Sequence, residues 1–318
     1  MRKCLLYFSL LQVIFGSAQS IDSVTYANYK LRINDQTVLI NLNPANSVAY
    51  ARRAFYKDKI EDFSGSIDDY TKAILYSPKE PANYYYRALV FCETEQYDKA
   101  IADFSKTISL RPDLPDTYLD RSVAFSALKR YDKALSDISI FIKLKPQDPR
   151  GYYSRGTYNE KLGKKDIALQ DYNKTLAIDS TFYEAYCKRA DIYLSNKNYA
   201  DALNDFNKAM DLDPSDISNV FGRAYALGAL GNREAAIRDY EDILKVLPNF
   251  DKGLYELANT LYEIKDFEKA LLNSNRYIAL APDDAKAFLL RAKIYEAIGE
   301  KDKAEKDKVG ASQKKGGK

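Results

Sequence analysis

Seven arginines stand at one place in a 34-residue frame: Arg53, Arg87, Arg121, Arg155, Arg189, Arg223 and Arg291. Seven aspartates follow them at a constant sixteen-residue offset: Asp69, Asp103, Asp137, Asp171, Asp205, Asp239 and Asp307. A guanidinium fork suits a carboxylate, so these residue types could form an anion site or an internal ion pair. A ligand site or an acid–base pair would occur once. A pair that returns with every period is architectural, and each arginine is expected to bridge to the aspartate of its own unit. The exceptions, Leu257 and Asn273, fall in the same unit. That unit, 251–284, is expected to be the weak point of the array.

Little else in the chain could carry chemistry. It has no histidine, which excludes Ser-His-Asp and Cys-His nucleophile systems and every His-containing metal site. The three cysteines are Cys4, Cys92 and Cys187. Cys92 and Cys187 lie almost three periods apart. Stacked helix layers add roughly 8–10 Å each, while a disulfide needs Cα atoms less than about 7 Å apart, so both are expected to be unpaired. No glycine-rich phosphate loop follows a strand. The sequon Asn173-Lys174-Thr175 falls on a predicted helix and carries little weight. Neither catalytic residues nor cofactor nor metal are expected, and the chain is expected not to be an enzyme. Net charge is +3 from 48 basic and 45 acidic residues. That balance gives no bulk electrostatic reason to bind nucleic acid or an anionic membrane.

The elements that must position these residues follow from a proline ladder. Pro44, Pro78, Pro112, Pro146, Pro214, Pro248 and Pro282 share one register of 34 residues, with Ser180 at the missing rung. A fixed period of this length marks stacked repeats. The units are 47–80, 81–114, 115–148, 149–182, 183–216, 217–250, 251–284 and a truncated 285–308. Their eighth position is always small: Ala54, Ala88, Ser122, Gly156, Ala190, Ala224, Ala258, Ala292. The twentieth is Ser66 and thereafter alanine. Large residues at positions 4, 11, 17 and 24 fall on facing sides of two helices, and the small ones let the axes approach. A turn falls at position 15 or 16, marked by Gly163, Gly231 and Gly299. The proline follows the second helix, where it blocks extension without breaking an internal hydrogen bond.

This pattern over 47–308 resembles the tetratricopeptide repeat. The resemblance implies an all-α, right-handed superhelical solenoid of about eight stacked antiparallel helix pairs, with first helices lining a concave face. The arginine at position 7 departs from the family, which usually has leucine there; only Leu257 follows it.

Residues 1–20 have a positive start at Arg2 and Lys3, an apolar core from Cys4 to Phe15, and small residues around Ala18 and Ser20. This is the layout of a secretory signal peptide, with cleavage expected after Ala18 or Ser20. The core is short of the roughly 20 apolar residues of a membrane span, so no span is expected in the mature chain. Cys4 stands at the start of the apolar core and not after it, which argues against a lipoprotein. The repeats are expected to be exported, periplasmic or secreted; an uncleaved membrane anchor is the alternative. Residues 21–46 read as a linker and a lone second helix over 30–43, and 309–318 as a basic disordered tail.

Function is expected on the first helices. The resemblance implies that positions 5, 9 and 12 face the groove. Here they include Tyr85, Leu119, Tyr153, Phe221 and Tyr255, then Phe55 and Tyr225, then Leu194 and Tyr262. Tyrosine gives large contact area and a polar tip at low entropic cost. Such a strip suits a protein or peptide partner. The lysine–asparagine cluster that some family members use for acidic tails is lacking. The alternative is a cell-wall or carbohydrate binder stacking sugars on the tyrosines. Self-association through the N-terminal half-repeat is a further option.

Overall fold

The structure, a computed structural model, describes residues 22–315. The expected signal peptide lies outside them. The described residues form 17 helices and no strand: α1 (Ser23–Leu42), α2 (Ser47–Lys59), α3 (Phe63–Tyr76), α4 (Pro81–Glu93), α5 (Tyr97–Leu110), α6 (Pro115–Ala127), α7 (Tyr131–Leu144), α8 (Pro149–Lys161), α9 (Lys165–Ile178), α10 (Tyr183–Ser195), α11 (Tyr199–Leu212), α12 (Ile217–Ala229), α13 (Arg233–Val246), α14 (Asp251–Glu263), α15 (Phe267–Leu280), α16 (Ala285–Ala297) and α17 (Lys301–Lys315). Two compact units meet at Asp171/Tyr172. In the first unit α1 to α8, and in the second α10 to α17, each pack on their sequence neighbours. No described helix is long and apolar enough to cross a membrane.

Each repeat closes its internal turn in one way. Position 15 has positive φ in all eight: Glu61, Glu95, Lys129, Lys197 and Lys265 at 57–67°, and Gly163, Gly231 and Gly299 at 78–86°. The next residue's N–H returns to the carbonyl five residues earlier, as Gln96 does to Phe91 at 2.7 Å and Asn232 to Leu227 at 2.9 Å. This is the αL helix stop. It explains why glycine is used there and why it is dispensable, since a single αL residue costs only about 1–2 kcal/mol.

The proline ladder works at the other end of each pair. Residues before the prolines leave the helical region, as Ser77 (φ −137°, ψ 70°) and Arg111 (φ −143°, ψ 83°) show, because proline crowds the residue before it. Tyr84, Tyr118 and Tyr152 hydroxyls then donate to the Pro78, Pro112 and Pro146 carbonyls at 3.1–3.2 Å. At the missing rung, Asp179 N–H still bonds the Thr175 carbonyl at 2.9 Å. The helix ends there without proline.

The small positions are buried as expected. Ala54, Ala88, Ala190, Ala224 and Ala258 are wholly inaccessible. At Gly222 the approach is closer still: a Cβ would lie 2.3 Å from the Phe206 ring.

Both ends differ from the sequence expectation. Helix α1 starts at Ser23, not near 30, so most of the expected linker is helical. Asp22 starts it by accepting from Val24 N and Thr25 N at 2.9 and 2.8 Å, a side-chain cap for orphan amides. The tail is helical through Lys315. Ala311 is buried, and Lys314 lies 4.9 Å over the Phe288 ring and 3.4 Å from Asp283. These contacts hold a segment whose composition alone suggests disorder.

Candidate functional site

The arginines and aspartates meet. In six rungs Arg Nε and Nη2 each donate to a different carboxylate oxygen at 2.6–2.9 Å: Arg53–Asp69, Arg87–Asp103, Arg121–Asp137, Arg189–Asp205, Arg223–Asp239 and Arg291–Asp307. Arg155 reaches Asp171 at 2.6 Å through Nη2. The aspartates are buried, while the arginine stems shield the pairs from water. The fork joins the two helices of a repeat.

A third bond was not legible. Nη1 donates to the preceding repeat: Arg53 to Thr37, Arg87 to Thr71, Arg121 to Ser105, Arg189 to Asn173 and Arg291 to Asn275, at 2.6–3.0 Å. The recurrent Thr, Ser or Asn sixteen residues before each arginine was the available signal. Aromatic rings one turn away complete the setting, with Arg121 Cζ 6.0 Å from Tyr118 and 5.8 Å from Phe125, a cation–π distance. The ladder thus ties repeat to repeat as well as helix to helix.

Leu257 and Asn273 replace the ion pair in 251–284. Both are buried, and Asn273 Nδ2 donates to its own helix at the Lys269 carbonyl, 3.0 Å away. Around them lies an extensive apolar cluster with Tyr240, Leu254, Leu261, Leu290 and Ile294. Apolar groups of similar volume commonly replace a buried pair without loss. In this repeat apolar packing around Leu257 stands where the others have the ion pair.

The proposed contact residues divide sharply by exposure. Phe55 and Tyr225, both at position 9, are each 40% exposed. Leu119 is fully buried and Tyr153 is 3% exposed; neither can present a surface, which corrects the expectation for both. Leu119 is absorbed into a core with Phe125, Ile138 and Tyr158. The other five are half-buried. Tyr85 packs on Phe104 at 5.9 Å and donates its hydroxyl to Asp120 at 2.7 Å. Phe221 packs on Tyr240 and Phe250, Tyr255 on Tyr277, and Tyr262 on Phe267, at 5.3–6.0 Å. Leu194 joins the cluster of Ala190, Ala202 and Phe206.

In the first unit, the first-helix face opens into a cleft of about 740 Å³ between α2 and α4. Phe55, Tyr56 and Tyr86 form its walls, Tyr70 and Asn83 its inner surface, and Arg52, Lys79 and Glu80 its rim. Apart from Phe55, these residues were not singled out from sequence, because their repeat positions are ordinary packing positions.

A second polar feature is buried nearby. Asp120 is 5% exposed and takes the Tyr85 hydroxyl. Burial raises its carboxyl to about 7, against the Tyr85 hydrogen bond; Asp116 adds to the rise and Arg150 opposes it. The thiols of Cys92 and Cys187 are free, and burial pushes both up.

Family models for the tetratricopeptide repeat match residues 183–216 and, for a second variant, 221–274 and 255–309. Residues 183–216 and 221–309 thus match tetratricopeptide repeats. Among solved structures, the C-terminal part of a tetratricopeptide-repeat protein from Cytophaga hutchinsonii is similar with a TM-score of 0.63 at 21% identity, over 74% of this chain and 97% of that one. A tetratricopeptide repeat protein from Parabacteroides merdae gives 0.55 at 18% identity, over 73% and 92%. Among curated proteins, outer dynein arm-docking complex subunit 4 of Xenopus laevis is 41% identical over 69 residues. That match covers 22% of this chain and only 13% of the relative. Tetratricopeptide repeats generally serve as non-catalytic scaffolds that bind proteins or peptides, and the all-helical, pairwise-stacked units agree with that architecture.

Proposed function

We propose that this chain is an exported, non-catalytic scaffold whose first-helix faces bind a protein or peptide partner. The observation that carries the reading is the aromatic cleft on the first unit, with Phe55 40% exposed at its wall. Large apolar side chains left in water beside a concavity are typical of docking surfaces. Export rests on the leader-like residues 1–20 alone.

The test combines two readouts on the full chain expressed in its native host. N-terminal sequencing of the envelope or secreted protein is expected to begin at Gln19 or Ile21. Capture from the same fraction is expected to recover a partner with wild type and to lose it, by tenfold or more, with Phe55→Ala/Tyr225→Ala. An intact Met1 on cytoplasmic protein contradicts export. Equal capture by the double variant contradicts the face assignment.

A further inference from the structure

We propose that the cleft between α2 and α4 is an anchor subsite for one apolar side chain of an extended peptide and its adjoining peptide bond, from a partner acidic around that anchor. The inference rests on the scaffold reading and specifies what is bound. It starts from two polar groups with nothing to do. Tyr70 is 2% exposed and Asn83 is 5% exposed, and both line the cleft. Among the described residues, neither side chain makes a hydrogen bond. Their polar atoms are not sealed in the core, where Gln36 Oε1 and Ser66 Oγ are the buried unpaired side-chain atoms among the described residues; they open to the cleft, where a ligand can reach them.

Sibling repeats show that packing does not require these groups. The position of Asn83 holds Ala49, Gly151, Ala185, Gly253 and Ala287 elsewhere. Where asparagine recurs, at Asn219, its amide is engaged: Nδ2 reaches the Tyr183 hydroxyl at 2.5 Å. The corresponding residue for Asn83 is Ser47, which lines the same cleft, accepts from the Ser77 hydroxyl at 2.7 Å and makes no bond to Asn83. The position of Tyr70 is Phe104, Ile138 and Phe206 in three other repeats and tyrosine again at Tyr172 and Tyr240. The phenol and the amide are therefore additions to a framework that folds without them.

Their chemistry selects the ligand. A side-chain amide offers donor and acceptor together, the complement of a peptide bond. The Tyr70 hydroxyl offers one more of either kind. The walls are aromatic: Phe55 and Tyr56 meet edge-on at 5.5 Å, and Tyr86 stacks on Tyr70 at 6.2 Å. At about 740 Å³ the space admits a ring or branched chain with its backbone. At the rim Arg52 and Lys79 are exposed cations, whereas Glu80 caps α4 by accepting from Ala82 N at 3.3 Å. The free charge at the mouth is positive, so acidic flanks complete the match.

The test selects a phage-displayed random dodecapeptide library on the full chain. Enriched peptides are then synthesised and titrated against wild type, Asn83→Ala, Tyr70→Phe, Tyr225→Ala and the second-helix control Val246→Ala. The expected peptides carry one Phe, Tyr, Leu or Ile beside Asp or Glu. Their affinity is expected to fall tenfold or more with Asn83→Ala and fivefold or more with Tyr70→Phe, and to stay unchanged with Val246→Ala, an exposed second-helix position. Both cleft variants are expected to keep or raise Tm, because each installs a residue that a sibling repeat already uses. Affinities within twofold of wild type for both variants overturn the subsite, as does a lowered Tm accompanying lost binding. Peptides sensitive only to Tyr225→Ala overturn the subsite and leave the scaffold reading standing. Failure to enrich any peptide overturns the inference, while capture of a protein partner independently decides the scaffold reading.

Discussion

Replacing the arginine of a central rung, Arg121→Leu, is expected to lower the stability of the first unit by about 3–5 kcal/mol. Asp137 is 4% exposed, and its two oxygens receive Nε and Nη2 at 2.8 Å each. Without the guanidinium that carboxylate is left charged and unpaired in a core that holds Phe141 and Ile138. Ser105 loses its Nη1 donor as well, so the contact to the preceding repeat goes with it. An exposed pair would cost only about 0–1 kcal/mol, so the magnitude discriminates. The double change Arg121→Leu/Asp137→Asn is expected to recover most of the loss, because Leu257 and Asn273 form that arrangement in the same frame. Stacked repeats unfold in pieces, so the reading should come from urea titration with hydrogen exchange followed at residues 81–148. A single variant costing under 1 kcal/mol, or a double variant as unstable as the single, contradicts the ladder's structural role.

Asp120→Asn is expected to flatten the pH dependence of stability and to stabilise the first unit at pH 8 by about 2–4 kcal/mol. The carboxyl is buried in α6 with a tyrosine hydroxyl at 2.7 Å and no cation bonded to it. Facing it are Asp116 on its own helix, Arg150 from α8, and Tyr85 and Cys92 from α4. Arg150 is already engaged by Asp116 at 2.9 Å and Asp148 at 2.7 Å. In the unfolded chain an aspartate titrates near about 3.9; in the fold this one titrates at about 7. Between those values the native state binds the extra proton. Stability therefore falls as pH rises from about 4 to 7, and levels off above. Denaturation of wild type and variant at pH 5, 6.5 and 8 checks it. Parallel curves for the two proteins contradict the assignment.

The fold was legible because each structural position is sampled up to eight times. One Ala at position 8 says little; Ala54, Ala88, Ala190, Ala224, Ala258 and Ala292 in phase define a helix crossing. The arginine–aspartate pairs were legible for the same reason. Contact residues were not, because exposure depends on how deeply each neighbouring repeat covers a first helix. Position 5 is fully buried at Leu119 and 3% exposed at Tyr153, while position 9 stays open at Phe55 and Tyr225. Periodicity also hid Tyr70 and Asn83: they occupy packing positions, and only their place on the cleft surface sets them apart. The ends escaped because they lie outside the repeat, where Asp22 capping and the Phe288–Lys314 contact decide the helix limits.

Whether partners meet the first-helix faces is tested most directly by site-specific photo-cross-linking in the native host. A photoreactive phenylalanine would replace Phe55, Tyr86 or Tyr225 on first helices, and Leu75 or Val246, both more than 60% exposed, on second helices. Adducts to a defined protein from the first three sites, and none from the last two, are expected. Adducts from Leu75 or Val246 with none from Phe55, Tyr86 or Tyr225 would place binding on the opposite face and contradict the proposed function.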